Sequence, residues 1–190
     1  MRIIVGISGA SGIRLSARLI KELDRRDVEV YTVITDSALK VAKCEGNNEL
    51  IDGIRRVSKG FYRQDEIEAP VSSSSFQTNG MVIIPCSMNT VAKLAYGIAD
   101  NLLLRAADIQ IKMRNKLIIV PREAPLSQTH LKNLLKLSKL GSVYILFPVL
   151  TYYHRPKTLE DVENFVIGRI MDILGIKHEL YRRWSDAEEE

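Results

Sequence analysis

The stretch Ile3-Ile4-Val5-Gly6-Ile7-Ser8-Gly9-Ala10-Ser11-Gly12 decides the fold. Apolar β-formers run without alternation into a cluster of small residues, and a helical pattern starts at once. A parallel strand buried on both faces has this composition, and its delivery into a helix opens a βα unit. Gly9 and Gly12 allow backbone angles that a Cβ would hinder, and Ser11 either caps the helix or turns its hydroxyl outward. Amides and helix dipole then face one point suited to an anion such as a phosphate. A tight strand–helix turn with no ligand would have the same composition.

The same grammar repeats downstream. Leu15, Leu19, Ile20 and Leu23 fall at helical spacing, and Val28 to Thr35 predicts a second strand. Thr35, Asp36 and Ser37 cap a helix that runs to Cys44 and Glu45. Residues 49–71 predict a short helix and an extended piece. Ser72-Ser73-Ser74-Ser75-Phe76 follows, either a solvated linker or a hydroxyl-lined site loop inside a compact domain. Met81 to Ile84 is the third strand, ended by Pro85, and Cys86 to Thr90 opens a helix through Val91, Leu94 and Ala95. A helix over Leu102 to Arg114 leads to a fourth strand, Leu117 to Val120, with Arg122 and Glu123 just past its carboxyl end. A further helix spans Ser127 to about Leu140, a fifth strand Val143 to Val149 and a last helix Leu159 to Leu174. Strands alternating with helices predict an α/β doubly wound, mainly parallel sheet with helices on both faces, a three-layer αβα domain. The polar turns all follow strands, so they gather at the carboxyl edge of one sheet, where such folds bind ligands.

With 190 residues, one domain over 1–190 is expected, ending in an extension from about residue 176 whose Trp184 docks on a neighbouring subunit. Net charge is +4 and the pI ≈ 9.1, but the basic residues are scattered without interleaved aromatics. That disfavours nucleic acid and suits a basic pocket for small phosphorylated molecules. Cys44 and Cys86 are far apart and lack metal-site spacing, so no disulfide scaffold and no metal are expected. The N-terminus enters a strand directly and no apolar run reaches membrane-spanning length, so a cytoplasmic protein without membrane association is expected.

Six turns read together carry a resemblance: GASG at Gly9–Gly12, SSSSFQT at Ser72–Thr78, PCSMNT at Pro85–Thr90, RAAD at Arg105–Asp108, PREAP at Pro121–Pro125 and YYHRP at Tyr152–Pro156. In this order and spacing, from Arg2 to about Trp184, the chain resembles the UbiX-type flavin prenyltransferases. The resemblance implies transfer of a dimethylallyl group from dimethylallyl phosphate to N5 and C6 of reduced FMN, without a metal. It also implies a homo-oligomer, trimer-based and dodecameric, with sites at subunit contacts, and a UbiD-type decarboxylase that receives the prenylated FMN.

Position by position, the resemblance assigns Gly9, Ala10, Ser11, Thr35, Ser87, Met88, Asn89, Thr90, Arg105 and Arg122 to FMN. It assigns Ser73 or Ser74, Lys112, Arg122, Glu123, Tyr153 and Arg169 to the prenyl phosphate; Tyr153 is taken rather than Tyr152 because it directly precedes His154. Lys112, Arg169 and Tyr153 suit the charge growing on a departing phosphate. Glu45 suits removal of a proton at C6, with Ser11 as relay and Glu123 assisting phosphate protonation. Bland readings stand beside these: Glu45 as a solvated helix-end charge, Lys112 as a surface lysine, Tyr153 and His154 as packing, Cys86 as buried filler.

Three positions depart from the family's pattern. Leu15 and Ser16 stand where Tyr-Gly is common, Asp36 where a basic residue is common, and the loop between Pro148 and Tyr153 is one residue longer. Two other functions remain open on sequence. One is an FMN-dependent cysteine decarboxylase, which shares the Asn89–Thr90 turn but places a catalytic His earlier than His130, His154 or His178. The other is a non-catalytic flavin carrier, which has no need of Lys112, Glu123, Tyr153 and Arg169 together.

Overall fold

In the computed structural model, which describes residues 1–184, six parallel strands form one sheet. They are β1 (Arg2–Ile7), β2 (Glu29–Ile34), β3 (Gly60–Arg63), β4 (Gly80–Cys86), β5 (Lys116–Pro121) and β6 (Val143–Ile145). Their order across the sheet is β3-β2-β1-β4-β5-β6. The chain winds outward from β1 in one direction and, after β4, in the other. Crossovers in parallel sheets are right-handed, so the two directions put their helices on opposite faces. One group is α1 (Ile13–Asp24), α2 (Asp36–Cys44) and α3 (Asn48–Val57), which touch one another. The other is α4 (Met88–Ala95), α5 (Leu102–Met113) and α6 (Gln128–Ser138), with α4 against both α5 and α6. The three-layer α/β fold expected from the alternation is present.

The central strands read as apolar runs because both faces are covered: Ile3, Val5 and Ile7 of β1 and Met81 to Ile84 of β4 are fully buried. Three elements differ from the sequence expectation. β4 does not stop at Pro85 but continues to Cys86, and its register with β5 shifts between Ile83 and Cys86. A proline cannot donate to the ladder, so the strand bends there instead of ending. β3 is a strand where only an extended piece was expected; it is a four-residue edge strand, none of it fully buried. β6 is also an edge strand and has three residues, short of the predicted seven from Val143 to Val149.

The chain divides into two compact units, the first spanning Met1–Phe147 and the second beginning at Pro148. The second unit is built on α7 (Leu159–Leu174), whose start is fixed by a capping box between Thr158 and Asp161. The expected extension from about residue 176 folds back on α7 of its own chain as far as it is described. Asp186 to Glu190 lie outside the described residues.

Candidate active site

The strand order reverses between β1 and β4, and the turns after these two strands flank the crevice that such a reversal opens. They are stitched together. Ser8 Oγ donates to the Pro85 carbonyl at 3.0 Å and accepts from the Ser87 amide at 2.8 Å. Ser16 Oγ, fully buried, donates to the Ile84 carbonyl at 2.6 Å. Ser16 is one of the departures from the family pattern, and its hydroxyl satisfies a carbonyl where β4 loses its ladder. The Arg122 amide donates to the Cys86 carbonyl at 3.2 Å, tying the turn after β5 to the turn after β4.

Gly12 stands at the N-cap of α1 with φ 108°, and no side chain caps this helix. Ser11 therefore takes the second of its two expected roles. Its exposed hydroxyl lies beside Glu45 and helps to lower its pKa, and Glu45 Oε1 accepts from the Gly12 amide at 3.0 Å. Asn47 Nδ2 holds Glu45 Oε2 at 3.1 Å. The anion at the start of α1 is thus a carboxylate of the chain itself, reached across 33 residues from the end of α2. Burial pushes the Glu45 carboxyl up, but Ser11, Gly12, Asn47 and Ile13 all donate to it and the net shift is downward. Glu45 is ionised at neutral pH and has one side-chain hydroxyl beside it.

Gly9 lets α2 approach: a Cβ there would lie 2.4 Å from both Cβ and Oγ of Ser37. Thr35, only 6% exposed, spends its hydroxyl on the Ala38 amide at 3.2 Å and on Ser37 Oγ at 3.0 Å. Thr35 thus shapes the turn that the resemblance assigned to FMN. Asp36, a second departure, is paired with Arg63 and with Gln64 Nε2 at 3.0 Å, which joins the ends of β2 and β3. At α4, Ser87 is the N-cap, accepting from the Thr90 amide at 3.2 Å and bonding Thr90 Oγ1 at 3.0 Å. The first amides of a helix have no intrahelical acceptor, so Met88 and Asn89 present theirs at the start of α4. Buried Cys86 has its thiol pKa raised by desolvation, which fits a filler and not a nucleophile.

The residues assigned to the prenyl phosphate fall into three groups. Arg122 and Glu123 are exposed just past β5, with Glu123 Oε1 accepting from the Ala124 amide at 3.1 Å. Ser73 and Ser74 follow a 3-10 turn, Pro70–Ser72, that packs on α5. Ser73 Oγ bonds Ser75 Oγ at 2.8 Å, and Arg105 Nε donates to the Ser72 carbonyl at 3.4 Å. Lys112 is exposed two turns beyond Arg105 on α5, four residues before β5 begins. It therefore lies toward the amino edge of the sheet, a strand length of roughly 20 Å from Arg122. The fold of one chain does not bring Lys112 to Arg122.

The third group belongs to the second unit. Tyr153 stands edge-on to Phe165 and Trp184 at 5.8 and 5.4 Å between ring centroids, while Tyr152 is 75% exposed. Arg169 on α7 has its pKa raised, first by the bond to Tyr181 and in smaller part by Tyr153. Tyr181 bonds Arg169 directly at 3.4 Å, and Tyr153 acts on it only electrostatically. Asp172 and Tyr181 bond Arg169, His178 bonds Asp172, and all three were missed on sequence; the spacing of Asp172, three residues beyond an arginine on a helix, was the available signal.

Hydroxyls, helix-start amides and guanidinium groups fit the phosphate and polar edges of a flavin mononucleotide. Among the described residues no cluster of His, Cys, Asp or Glu could hold a metal, and no helix is long and apolar enough to cross a membrane. The Flavoprotein family model matches residues 1–171. Flavin prenyltransferase UbiX of Halalkalibacterium halodurans is 43% identical over 96% of this chain and 92% of its own. Among solved structures, a dodecameric FMN-dependent UbiX-like decarboxylase from Escherichia coli O157:H7 superposes with TM-score 0.92 at 37% identity, covering 97% of this chain and 99% of that one. AnUbiX (PadA1), in complex with FMN and dimethylallyl pyrophosphate, superposes with TM-score 0.92 at 33% identity, covering 96% of each chain. With such identity over nearly its whole length, the chain belongs to the UbiX flavin prenyltransferase family of flavoproteins.

Proposed function

We propose that this chain joins the dimethylallyl group of dimethylallyl phosphate to N5 and C6 of reduced FMN. The observation that carries the reading is Glu45 at the start of α1, a carboxylate held by the Gly12 amide and Asn47 with the Ser11 hydroxyl beside it, at the mouth of the β1–β4 crevice. A carrier has no use for a base there, whereas ring closure at C6 ends in loss of a proton from carbon. Glu45, ionised and fixed at both oxygens, takes that proton through Ser11. Reduced flavin supplies the nucleophilic nitrogen and carbon when bound.

Gly9, Ala10 and Ser11, with Ser87 to Thr90, Arg105 and Arg122, hold the flavin, Thr35 acting by shaping its turn. Because Glu45 already occupies the start of α1, the flavin phosphate is left to the α4 amides and arginines. Lys112, Arg122, Arg169 and Tyr153 hold the phosphate that departs, with Ser73 or Ser74 beside them, and Glu123 protonates it. Cations and a phenol donor stabilise the charge as the C–O bond breaks. Lys112 reaches the site from a neighbouring copy in a homo-oligomer, trimer-based and dodecameric, which Trp184, 64% exposed, helps to assemble. The chain acts as one cytoplasmic flavoprotein over residues 1–190, and the product passes to a UbiD-type decarboxylase.

Mass spectrometry of flavin after anaerobic incubation with reduced FMN and dimethylallyl phosphate tests the reading. A mass gain of one dimethylallyl group is expected; recovery of unchanged FMN from folded, FMN-binding protein overturns it.

A further inference from the structure

Arg169 is not left to choose its own rotamer. Its Nη1 donates to Asp172 Oδ2 at 3.2 Å and to the Tyr181 hydroxyl at 3.4 Å. Asp172, one turn further along α7, is where four donors converge. Besides Arg169 it accepts from the Tyr181 hydroxyl at 2.5 Å, Arg183 Nη2 at 2.9 Å and His178 Nε2 at 3.1 Å. Three of these come from the segment after Gly175, which ends α7 with φ 80° and turns the chain back along the helix. Gly168 is the seat for that segment, because a Cβ there would stand 2.5 Å from the Tyr181 ring and 2.7 Å from His178 Cε1.

His178 shows how firmly the carboxylate is held. Its side chain is 1% exposed, and its Nδ1 accepts from the Leu180 amide at 3.2 Å. With Nδ1 an acceptor, the ring proton is on Nε2 and points at Asp172. Burial raises the Asp172 pKa, but the bonds from Tyr181, Arg183 and His178 outweigh it and bring the value to about 2. Asp172 is therefore a fixed anion. Arg169 has its Nη1 edge committed, while among the described residues Nη2 and Nε have no protein partner and the side chain is 48% exposed. A guanidinium tethered by one edge presents the other as a bidentate fork for an anion.

We propose that Asp172, clamped by His178 and Tyr181, is the positioning residue for Arg169 and fixes the fork that receives the phosphate of the prenyl donor. The proposal rests on the assignment of Arg169 to that phosphate. An unheld arginine would pay rotamer entropy on each binding event, and the clamp removes that cost in advance.

A double-mutant cycle on the full-length, FMN-loaded protein separates the two. Dimethylallyl phosphate binding is measured by calorimetry for Arg169→Ala, Asp172→Asn and the double variant, alongside KM, kcat, FMN affinity and thermal midpoint. Asp172→Asn is expected to weaken donor binding and raise KM about tenfold, the worth of one charge-assisted hydrogen bond, with FMN affinity unchanged. In the Arg169→Ala background the same substitution is expected to change donor binding less than about twofold. An equal loss in both backgrounds would make Asp172 a general structural residue and overturn the proposal. So would tighter donor binding, which would make Asp172 a competitor of the donor's phosphate. If Arg169→Ala binds the donor as the parent does, the phosphate assignment itself fails and the positioning role falls with it. Should Asp172→Asn not fold, Tyr181→Phe replaces it in the cycle. A smaller loss that vanishes without Arg169 supports the proposal, and no loss overturns it.

Discussion

Exchanging Glu45 for Gln keeps an oxygen for the Gly12 amide but removes both the charge at the start of α1 and the base beside Ser11. The two losses have different readouts. Departure of phosphate and attack by N5 need cations, not a base, so the gain in flavin mass should continue. Ring closure, followed by flavin absorbance, should slow by ~10²–10⁴, the usual worth of general base catalysis. Stability should fall by about 0.3–1 kcal/mol at neutral pH, as for a charge removed from a helix start. Because the folded pKa of Glu45 is lowered, this stabilisation is complete above its unfolded pKa and lost as pH falls through the folded one. Urea midpoints of the two proteins should therefore differ at about pH 7 and converge as pH falls below the lowered pKa of Glu45. A gap that persists in acid would show that packing, not charge, is what the substitution disturbs. None of this pairing follows from periodicity. Ser11 and Glu45 are 34 positions apart, and only the resemblance placed them in one site. Asp172 was harder still, since apart from Arg169 its partners come from a reversal of the chain that no local pattern announced.

Elements were legible in proportion to their burial. β1, β2 and β5 are covered on both faces, so their apolar runs stand out, whereas the edge strands β3 and β6 are short and half-covered. Pro85 read as a stop because the rule about proline concerns ladder donors, and β4 meets that rule with a register shift. Helix starts were read more faithfully: Thr35, expected as a cap, accepts from the amide three residues on, and the helices expected to open near Ser87 and from Ser127 are capped by those serines in the same way. At the level of packing, the βα turn depends on how closely α2 approaches it. Gly9→Ala places a Cβ 2.4 Å from Ser37 and should destabilise by about 1–3 kcal/mol, the range for overpacking. Adding Ser37→Gly removes the atoms nearest that Cβ and should recover most of the loss, leaving the 3.2 Å approach to the Ser37 backbone. Chemical denaturation of the single and double variants checks this, and no recovery would place the strain in the turn's own backbone. Ser16→Ala should cost about 1–2 kcal/mol, since it leaves the Ile84 carbonyl buried without its donor.

For the whole molecule, the sheet separates what the proposed chemistry must combine. Arg122 follows the carboxyl end of β5, while Lys112 precedes its amino end on α5. A lysine side chain is far shorter than the roughly 20 Å of strand between these edges, so in this conformation one chain does not put both on the same phosphate. In the proposed homo-oligomer a second copy can, since an assembly of identical chains repeats each surface. The resemblance named both residues and implied sites at subunit contacts, but only the position of α5 before β5 points to Lys112 as the residue a second copy would supply. The consequence is testable by complementation. Lys112→Ala and Arg122→Ala should each be nearly inactive when alone. Co-assembled from equal amounts, a Lys112 from one variant meets an Arg122 from the other at roughly a quarter of randomly formed sites. Mass spectrometry of the flavin product from co-expressed, differently tagged chains should then return about that fraction of parental activity. Unmixed blends of the two finished assemblies should stay inactive. If co-assembly restores nothing while each variant binds FMN, Lys112 and Arg122 act within one chain, and a movement of α5 must bring them together.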